Sequence, residues 1–269
     1  MPPTSTSTPD GPEVVDCARW LADQPRPSLE VRPLRYGPAD RRRTGHGVRI
    51  ALLGGRVDTT HPDLRQASVT SRTEGRHPAP ADPAGQATAC ASLLVGQGHQ
   101  QVRGLVPRAD LLVATVLDPD ARPADQLVVR AVHWALREGA QVIVLPFGRR
   151  RPGRGVATTL RAAAEEGVQV LVSAGDLGPD VLTFPGSVSG VVAVTAHDGR
   201  SLLPGCSSRA DLAAPGHAVP AAGPGRTLLL RGTGPATVLA AGAWAGLAHE
   251  VVGRRDRGEA HQRDRFIHA

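Results

Sequence analysis

The three thiols are the first candidates for chemistry in this chain. Nucleophilic catalysis requires a hydroxyl or thiol, a base that accepts its proton, and a group that orients the base. Cys17, Cys90 and Cys206 are an odd number at spacings that fit no metal site, so they predict reduced thiols rather than disulfides or metal ligands. Cys90 lies one helical turn after Gln86, but no base is recognisable nearby, which favours a small buried side chain.

Five glycine-containing segments follow one another along the chain. The first ends an apolar run at Gly54, the second contains Gln86, the fourth ends in Asp176, and the fifth places Gly234 after a Gly-Thr pair. In order, they are GHGVRIALLGGRVDTTHPDL (residues 45–64), GQATACAS (85–92), VRGLVPRA (102–109), SAGD (173–176) and RGTGPATVLAAG (231–242).

This series resembles the subtilisin-like (subtilase) serine proteases. That family has its catalytic Asp at the end of the first segment's strand and its catalytic His in the second segment. Its fourth segment ends in an Asn that donates to the oxyanion, and its fifth reads Asn-Gly-Thr-Ser-Met-Ala around the nucleophile. The resemblance therefore places these four functions on Gly54, Gln86, Asp176 and Gly234. Asp58 and His61 match non-catalytic residues of the family, so they do not restore the triad.

None of these four residues could do the chemistry of its position. The glycines have no side chain to attack or to orient, and an amide such as that of Gln86 is no base near neutrality. An ionised Asp176 would repel the negative charge that an oxyanion site must stabilise. We therefore expect a catalytically inactive member that acts as a peptide-binding, scaffolding or regulatory subunit, for example in a bacterial peptide-modifying pathway. The alternative is a divergent hydrolase with a non-standard site that involves Cys90.

The resemblance also implies a peptide groove between two backbone edges, since subtilases bind substrate as an added strand. The partner would be an extended peptide, with an acidic sequence as one option, or a partner enzyme. Alternatively, the groove is closed and another surface does the work. Asp63 matches a position that some relatives use for calcium, but no further ligands are recognisable, so we expect neither metal nor cofactor. The groove candidates are residues 120 and 121 with Arg122 and Pro123 on one edge, Leu145, Pro146, Phe147, Gly148, Arg149, Arg150 and Arg151 on the other, and Ala174 and Gly175 nearby.

Alternating apolar strands and alanine-rich helices must position these residues. This alternation predicts an α/β fold, a three-layer α/β/α sandwich around a mostly parallel sheet. We divide the chain into an extended or disordered segment with one short helix (1–44), a subtilase-like domain (45–252) and a charged tail (253–269). The predicted strands are 48–53, 109–117, 141–147, 168–173 and 191–195; the predicted helices are 13–23, 86–94, 124–138, 157–166 and 236–252.

Composition narrows the classes of partner. A chain of 269 residues with 41% hydrophobic and 21% charged residues is typical of one soluble domain. Its net charge of +6 comes from scattered arginines with only 3% aromatics, which does not favour nucleic acid. No signal peptide or membrane span is visible, so we expect a cytoplasmic protein of unknown oligomeric state. The absence of lysine and asparagine is typical of a GC-rich genome.

Overall fold

The computed structural model describes residues 14–25, 27–73, 85–118 and 122–255, the last seven through their backbone alone. The predicted disordered segment 1–12, the groove positions 120 and 121, and most of the predicted tail lie outside the described residues. The strands are β1 Val15–Asp16, β2 Arg49–Gly54, β3 Val69–Thr73, β4 Val102–Arg103, β5 Asp110–Thr115, β6 Val142–Leu145, β7 Gln169–Ser173, β8 Val192–His197, β9 Leu212–Pro215, β10 Val219–Ala222 and β11 Thr227–Leu230. The helices are α1 Cys17–Ala22, α2 Gln86–Val95, α3 Asp125–Arg137, α4 Val156–Glu165 and α5 Thr233–Arg255, with a 3₁₀ turn at Asp40–Arg42.

A seven-stranded parallel sheet with the order β3-β5-β2-β6-β7-β8-β9 forms the centre of the molecule. Helices α2 and α5 pack on one face, and α3 and α4 pack on the other. Strand β2 is apolar along most of its length because both of its faces are buried. Ile50 and Leu52 join the core on the α5 face, while Ala51 and Leu53 join the core on the α3 face. The predicted α/β/α sandwich is confirmed.

The observed end of strand β6 and the observed start of helix α5 differ from the predicted ones, and two strands of the central sheet were not predicted. Strand β6 ends at Leu145 rather than residue 147, directly before Pro146, which has no N–H to offer a neighbouring strand. Helix α5 begins at Thr233, three residues before the predicted start. Strands β3 and β9 were missed because β3 is polar and exposed at the sheet edge, while β9 is short and alanine-rich.

The described residues before position 45, which are 14–25 and 27–44, pack on the domain instead of forming a free connector. Cys17 and Leu21 of α1 are buried in the main core, and β1 pairs with β4. Further along, Leu34 N–H donates to the carbonyl of Ala213 at 2.6 Å, which extends the sheet beyond β9. The short helix predicted for residues 13–23 is present as the shorter α1, preceded by β1.

Across the residues that the structure describes, no helix is both long and apolar enough to cross a membrane.

Candidate active site

The three positions that the sequence assigns to a triad lie where β2, α2 and α5 begin or end. Gly54 is the last residue of β2, Gln86 is the first of α2, and Gly234 is the second of α5. Two close approaches join these elements. A Cβ on Gly55 would lie 3.3 Å from the Cβ of Ala87, and a Cβ on Gly234 would lie 2.9 Å from the carbonyl oxygen of Pro146, which follows β6 beside β2.

One side of the site is formed by Gly54, Gly55 and Gln86, and we call it the open half. It contains unoccupied space beside Gly54. A Cβ built on Gly54 meets no atom within 4 Å. Gln86 is exposed at the amino end of α2, where Gly85 adopts a left-handed conformation with φ of 69°. A Cβ at position 54 therefore fits, and neither Gly54, Gly55 nor Gln86 is an acid or a base.

The opposite side of the site is formed by Pro146, Asp176, Thr233 and Gly234, and we call it the filled half. It has no such space beside Gly234. The 2.9 Å approach of Pro146 O to the Cβ position of Gly234 is closer than Cβ atoms normally come to any neighbour. The obstructing atom belongs to the backbone, so rotating a side chain cannot relieve the contact. A serine at position 234 would require a shift of β6 or of α5.

The carboxylate of Asp176 binds the amino end of α5. Its Oδ1 accepts from the backbone N–H of Thr233 at 3.0 Å, and its Oδ2 accepts from the hydroxyl of the same residue at 3.0 Å. Gly232 makes this approach possible: its φ is 105°, and a Cβ there would lie 3.1 Å from Oδ1. A negative charge at this helix end is favourable because the first N–H groups and the helix dipole point towards it.

The same carboxylate holds the thiol of Cys206, which donates to Oδ1 at 3.0 Å. Burial, and then the hydrogen bond to Asp176, raise the pKa of Cys206 to about 12, so the thiol stays protonated. Cys90 is 3% exposed and belongs to the main core, and burial raises the pKa of Cys17 well above its usual range. No thiol is therefore presented as a nucleophile, and the Cys90 alternative gains no support.

The other acidic and imidazole groups of the motifs have structural partners. Asp63 is fully buried, and its oxygens accept from the backbone N–H groups of Gln100, Gln101 and Val102 at 2.7, 2.9 and 2.9 Å. These donors compensate its charge in place of a cation, and the described part of the chain contains no cluster of metal-ligating side chains. Asp58 is exposed, and a hydrogen bond from the Thr60 hydroxyl is the main cause that lowers its pKa.

Arg149 joins the two predicted edges of the peptide groove. Its guanidinium donates to the carboxylate of Asp125 and, at 3.2 Å, to the carbonyl of Pro123, and it lies 5.6 Å from the centre of the Phe184 ring. Its backbone N–H and carbonyl both pair with Phe184, at 2.9 and 2.8 Å. Arg149 is therefore not a free rim cation.

Three other groove arginines, Arg122, Arg150 and Arg151, are exposed. Behind Arg149 lies an apolar pocket of about 10 Å³, room for roughly one water. It is lined by Pro123, Val128, Leu145, Phe147, Arg149, Val156, Phe184 and Pro185.

Thr183 covers the remaining groove candidates and was missed from the sequence. Its hydroxyl donates to the carbonyl of Ala174 at 3.0 Å, and any Cβ on Gly148 or Gly175 would overlap its side chain. Both positions are therefore restricted to glycine by one threonine. Thr183 lies outside the five segments that carry the resemblance, so motif matching could not indicate which glycines it would touch.

The fold and the arrangement of the site define a protein of the subtilisin-like class, with the helix of the fifth motif set against the carboxyl ends of the central strands. Residues 45–252 match the model of the subtilase family. The chain belongs to the subtilase family.

The chain is similar to known proteins in both sequence and structure. The chain is 31% identical to subtilisin BL of Lederbergia lenta over 207 residues, which cover 75% of this chain and 76% of that protein. Among solved structures, a mutant of the PatA protease domain superposes with a TM-score of 0.70 at 28% identity, covering 80% of this chain and 82% of that one. The prenylagaramide maturation protease PagA superposes with a TM-score of 0.68 at 25% identity, covering 79% and 78%.

Proposed function

We propose that this chain is a catalytically inactive subtilase that binds an extended peptide without cleaving it. The observation that carries the proposal is the filled half of the site. The Asp176 carboxylate binds the amino end of α5, and the Pro146 carbonyl lies where a side chain at Gly234 would begin.

The side chains at these positions supply none of the groups that peptide hydrolysis by a triad requires: a nucleophile, a base and an oxyanion donor. An attack on a peptide carbonyl would need a nucleophile at position 234 and a base at position 86, and the loss of such a triad lowers turnover by about 10⁶-fold. The tetrahedral intermediate would then place its negative oxygen near the carboxylate of Asp176. Loss of one oxyanion donor costs about 10²- to 10³-fold, and a fixed anion adds repulsion. Binding, in contrast, needs only the backbone edge and the surface around it.

Relatives support a peptide as the ligand. PatA is a patellamide maturation protease and PagA is a prenylagaramide maturation protease, so this chain resembles proteins of peptide maturation. Exposed Arg150 and Arg151 follow the edge at Phe147 and Gly148, and exposed Arg122 lies on the facing edge. Three exposed positive charges around this backbone edge favour an acidic peptide.

A titration with labelled peptides tests this proposal. We expect a fluorescein-labelled, glutamate-rich decapeptide to bind saturably and to be recovered intact by mass spectrometry. Because each lost charge contact weakens binding, the double variant Arg150→Ala/Arg151→Ala should bind about tenfold more weakly. The matched control is Arg137→Ala/Arg161→Ala, which removes two exposed arginines from α3 and α4 and should bind like the parent. No saturable binding, equal loss in both double variants, or a cleaved peptide would each refute the proposal.

A further inference from the structure

The hairpin of β10 and β11 carries the most exposed apolar residue of the described chain. Leu229, in β11, is 69% exposed, whereas its neighbours Leu228 and Leu230 pack against the core. β10 is buried on the side that faces α2. In the described residues, β11 pairs with β10 alone, so its second edge has no strand beside it.

The pairing of the hairpin determines which backbone groups face outwards. Pro220 lies opposite Leu229 and has no N–H, so these two residues cannot exchange a pair of hydrogen bonds. The exchanging pairs are therefore Val219 with Leu230 and Ala221 with Leu228. In an antiparallel ladder the intervening residues direct their groups away from the partner strand. The N–H and carbonyl of Leu229, and those of Thr227, consequently point to the open edge.

The charges around β11 indicate the chemistry of its partner. Arg226 and Arg231 flank the strand and are both exposed, and no acidic residue occurs from residue 223 to 232. Pairing of two copies through this edge would bring four arginines together. The Asp176 carboxylate beside Gly232 already accepts from Thr233, so the arginines would repel one another. An acidic strand would instead place a carboxylate near each arginine while its apolar centre covers Leu229.

We propose that β11 is a docking edge for an extended segment of a partner protein, apolar at its centre and acidic at both ends, which adds as a third strand. The added strand would pair with the outward groups of Thr227 and Leu229. This surface lies on a different element from the groove of the proposed function. Failure of groove binding would therefore leave the β11 proposal intact.

The test uses the full chain and a labelled synthetic peptide with three valines alternating with threonines and two glutamates at each end. We expect saturable binding in fluorescence polarisation. Leu229→Pro removes the outward N–H and the exposed leucine side chain but none of the N–H groups that bond to β10, and proline is tolerated on edge strands. It should therefore weaken binding about tenfold while the unfolding temperature stays near that of the parent. Leu229→Val keeps the N–H and the apolar surface, and should bind like the parent. A peptide with arginines in place of the glutamates should not bind.

Three outcomes would overturn the proposal. They are absence of binding by the parent, equal binding by Leu229→Pro and Leu229→Val, and equal binding of the acidic and basic peptides. Light scattering tests whether a second copy of the chain occupies this edge instead. A dimer that Leu229→Pro converts to a monomer would assign the edge to that second copy and would also overturn the proposal. Leu229→Pro and Leu229→Val are also compared in the Arg150→Ala/Arg151→Ala background, which weakens binding of acidic peptides at the groove. A tenfold difference that remains there belongs to the β11 edge.

Discussion

The two halves of the candidate active site differ in the space that surrounds their glycines. In the open half, Gly54 leaves space in which a Cβ meets nothing within 4 Å. In the filled half, the same atom on Gly234 would lie 2.9 Å from a backbone oxygen, and the adjacent helix end already binds Asp176. In the open half a side chain is simply absent, whereas in the filled half the residue after β6 closely approaches the start of α5.

This difference predicts that the two positions tolerate an added side chain unequally. A Cβ at position 54 would require no movement of the surrounding atoms. A serine at position 234 would require the Pro146 carbonyl or the start of α5 to move, and well-packed interiors resist such shifts. Restoring the family's residues one by one should therefore disturb the two halves unequally.

Matched alanine substitutions give the largest expected contrast. Gly234→Ala forces a methyl group against Pro146 O, and we expect it to lower the free energy of unfolding by about 1–3 kcal/mol. Gly54→Ala adds the same group to empty space and should change it by less than about 0.5 kcal/mol. Urea unfolding measures both variants. Equal effects at the two positions would mean that the filled half is not sterically closed.

Removing the Asp176 carboxylate tests the other contact of the filled half. Asp176→Ala deletes the acceptor for the N–H and hydroxyl of Thr233 at the amino end of α5, so we expect a loss of about 1–2 kcal/mol. Asp176→Asn keeps one acceptor and should lose about half as much. Asp180→Ala, which removes another exposed carboxylate, serves as a control for charge. If Asp176→Ala unfolds like the parent, the carboxylate does not stabilise α5.

Acid sensitivity should come from outside both halves. Burial lowers the pKa of His197, at the end of β8, to about 4, and its Nδ1 accepts from Gly199 N–H at 3.0 Å. Because the unfolded chain then binds more protons, stability is complete above the ordinary histidine pKa and falls as pH decreases towards the folded value. We expect a loss of about 1–2 kcal/mol between about pH 7 and about pH 5.

The variant His197→Asn, which keeps an acceptor for Gly199, should remove most of this pH dependence. Urea midpoints at the two pH values provide the measurement. A pH dependence that persists in His197→Asn but disappears in Asp176→Asn would transfer the effect to the filled half.

The smallest expected effect concerns the thiol behind the open half. Cys90 is buried one turn after Gln86, so iodoacetamide should not alkylate it within hours in the native protein, although it should after denaturation. Mass spectrometry of tryptic peptides reports each cysteine separately. Rapid native alkylation of Cys90 alone would show a reactive thiol at the site and revive a hydrolase that uses it.

The sequence alone predicted the fold where the signal is local and apolar. Near-continuous runs of Val, Leu and Ile indicated β2, β5, β6, β7 and β8, since a strand buried on both faces needs no polar residues. It missed β3 because an exposed edge strand has the composition of a loop. It also missed the docking of residues 14–44, because nothing local indicates that Leu34 bonds to Ala213, far along the chain.

Within the site, motif spacing led to Gly54, Gln86, Asp176 and Gly234, but not to what surrounds them. That Asp176 binds Thr233 rather than remaining a free anion depends on contacts between residues 57 positions apart. The engagement of Arg149 by Asp125 similarly depends on α3 lying beside the residues after β6. Side chains identified by a motif were therefore predictable, whereas their partners from distant elements were not.

The most direct test of an inactive site is a cleavage measurement on the purified chain. The protein, at micromolar concentration, is incubated with a fluorogenic peptide library and with unfolded casein, with subtilisin BL as the active control, and products are identified by mass spectrometry. We expect no cleavage above that of the heat-denatured sample, from the parent or from Gly54→Asp/Gln86→His. Specific cleavage by the parent that co-purifies with the protein and disappears in Asp176→Ala or Cys90→Ala would contradict the central claim.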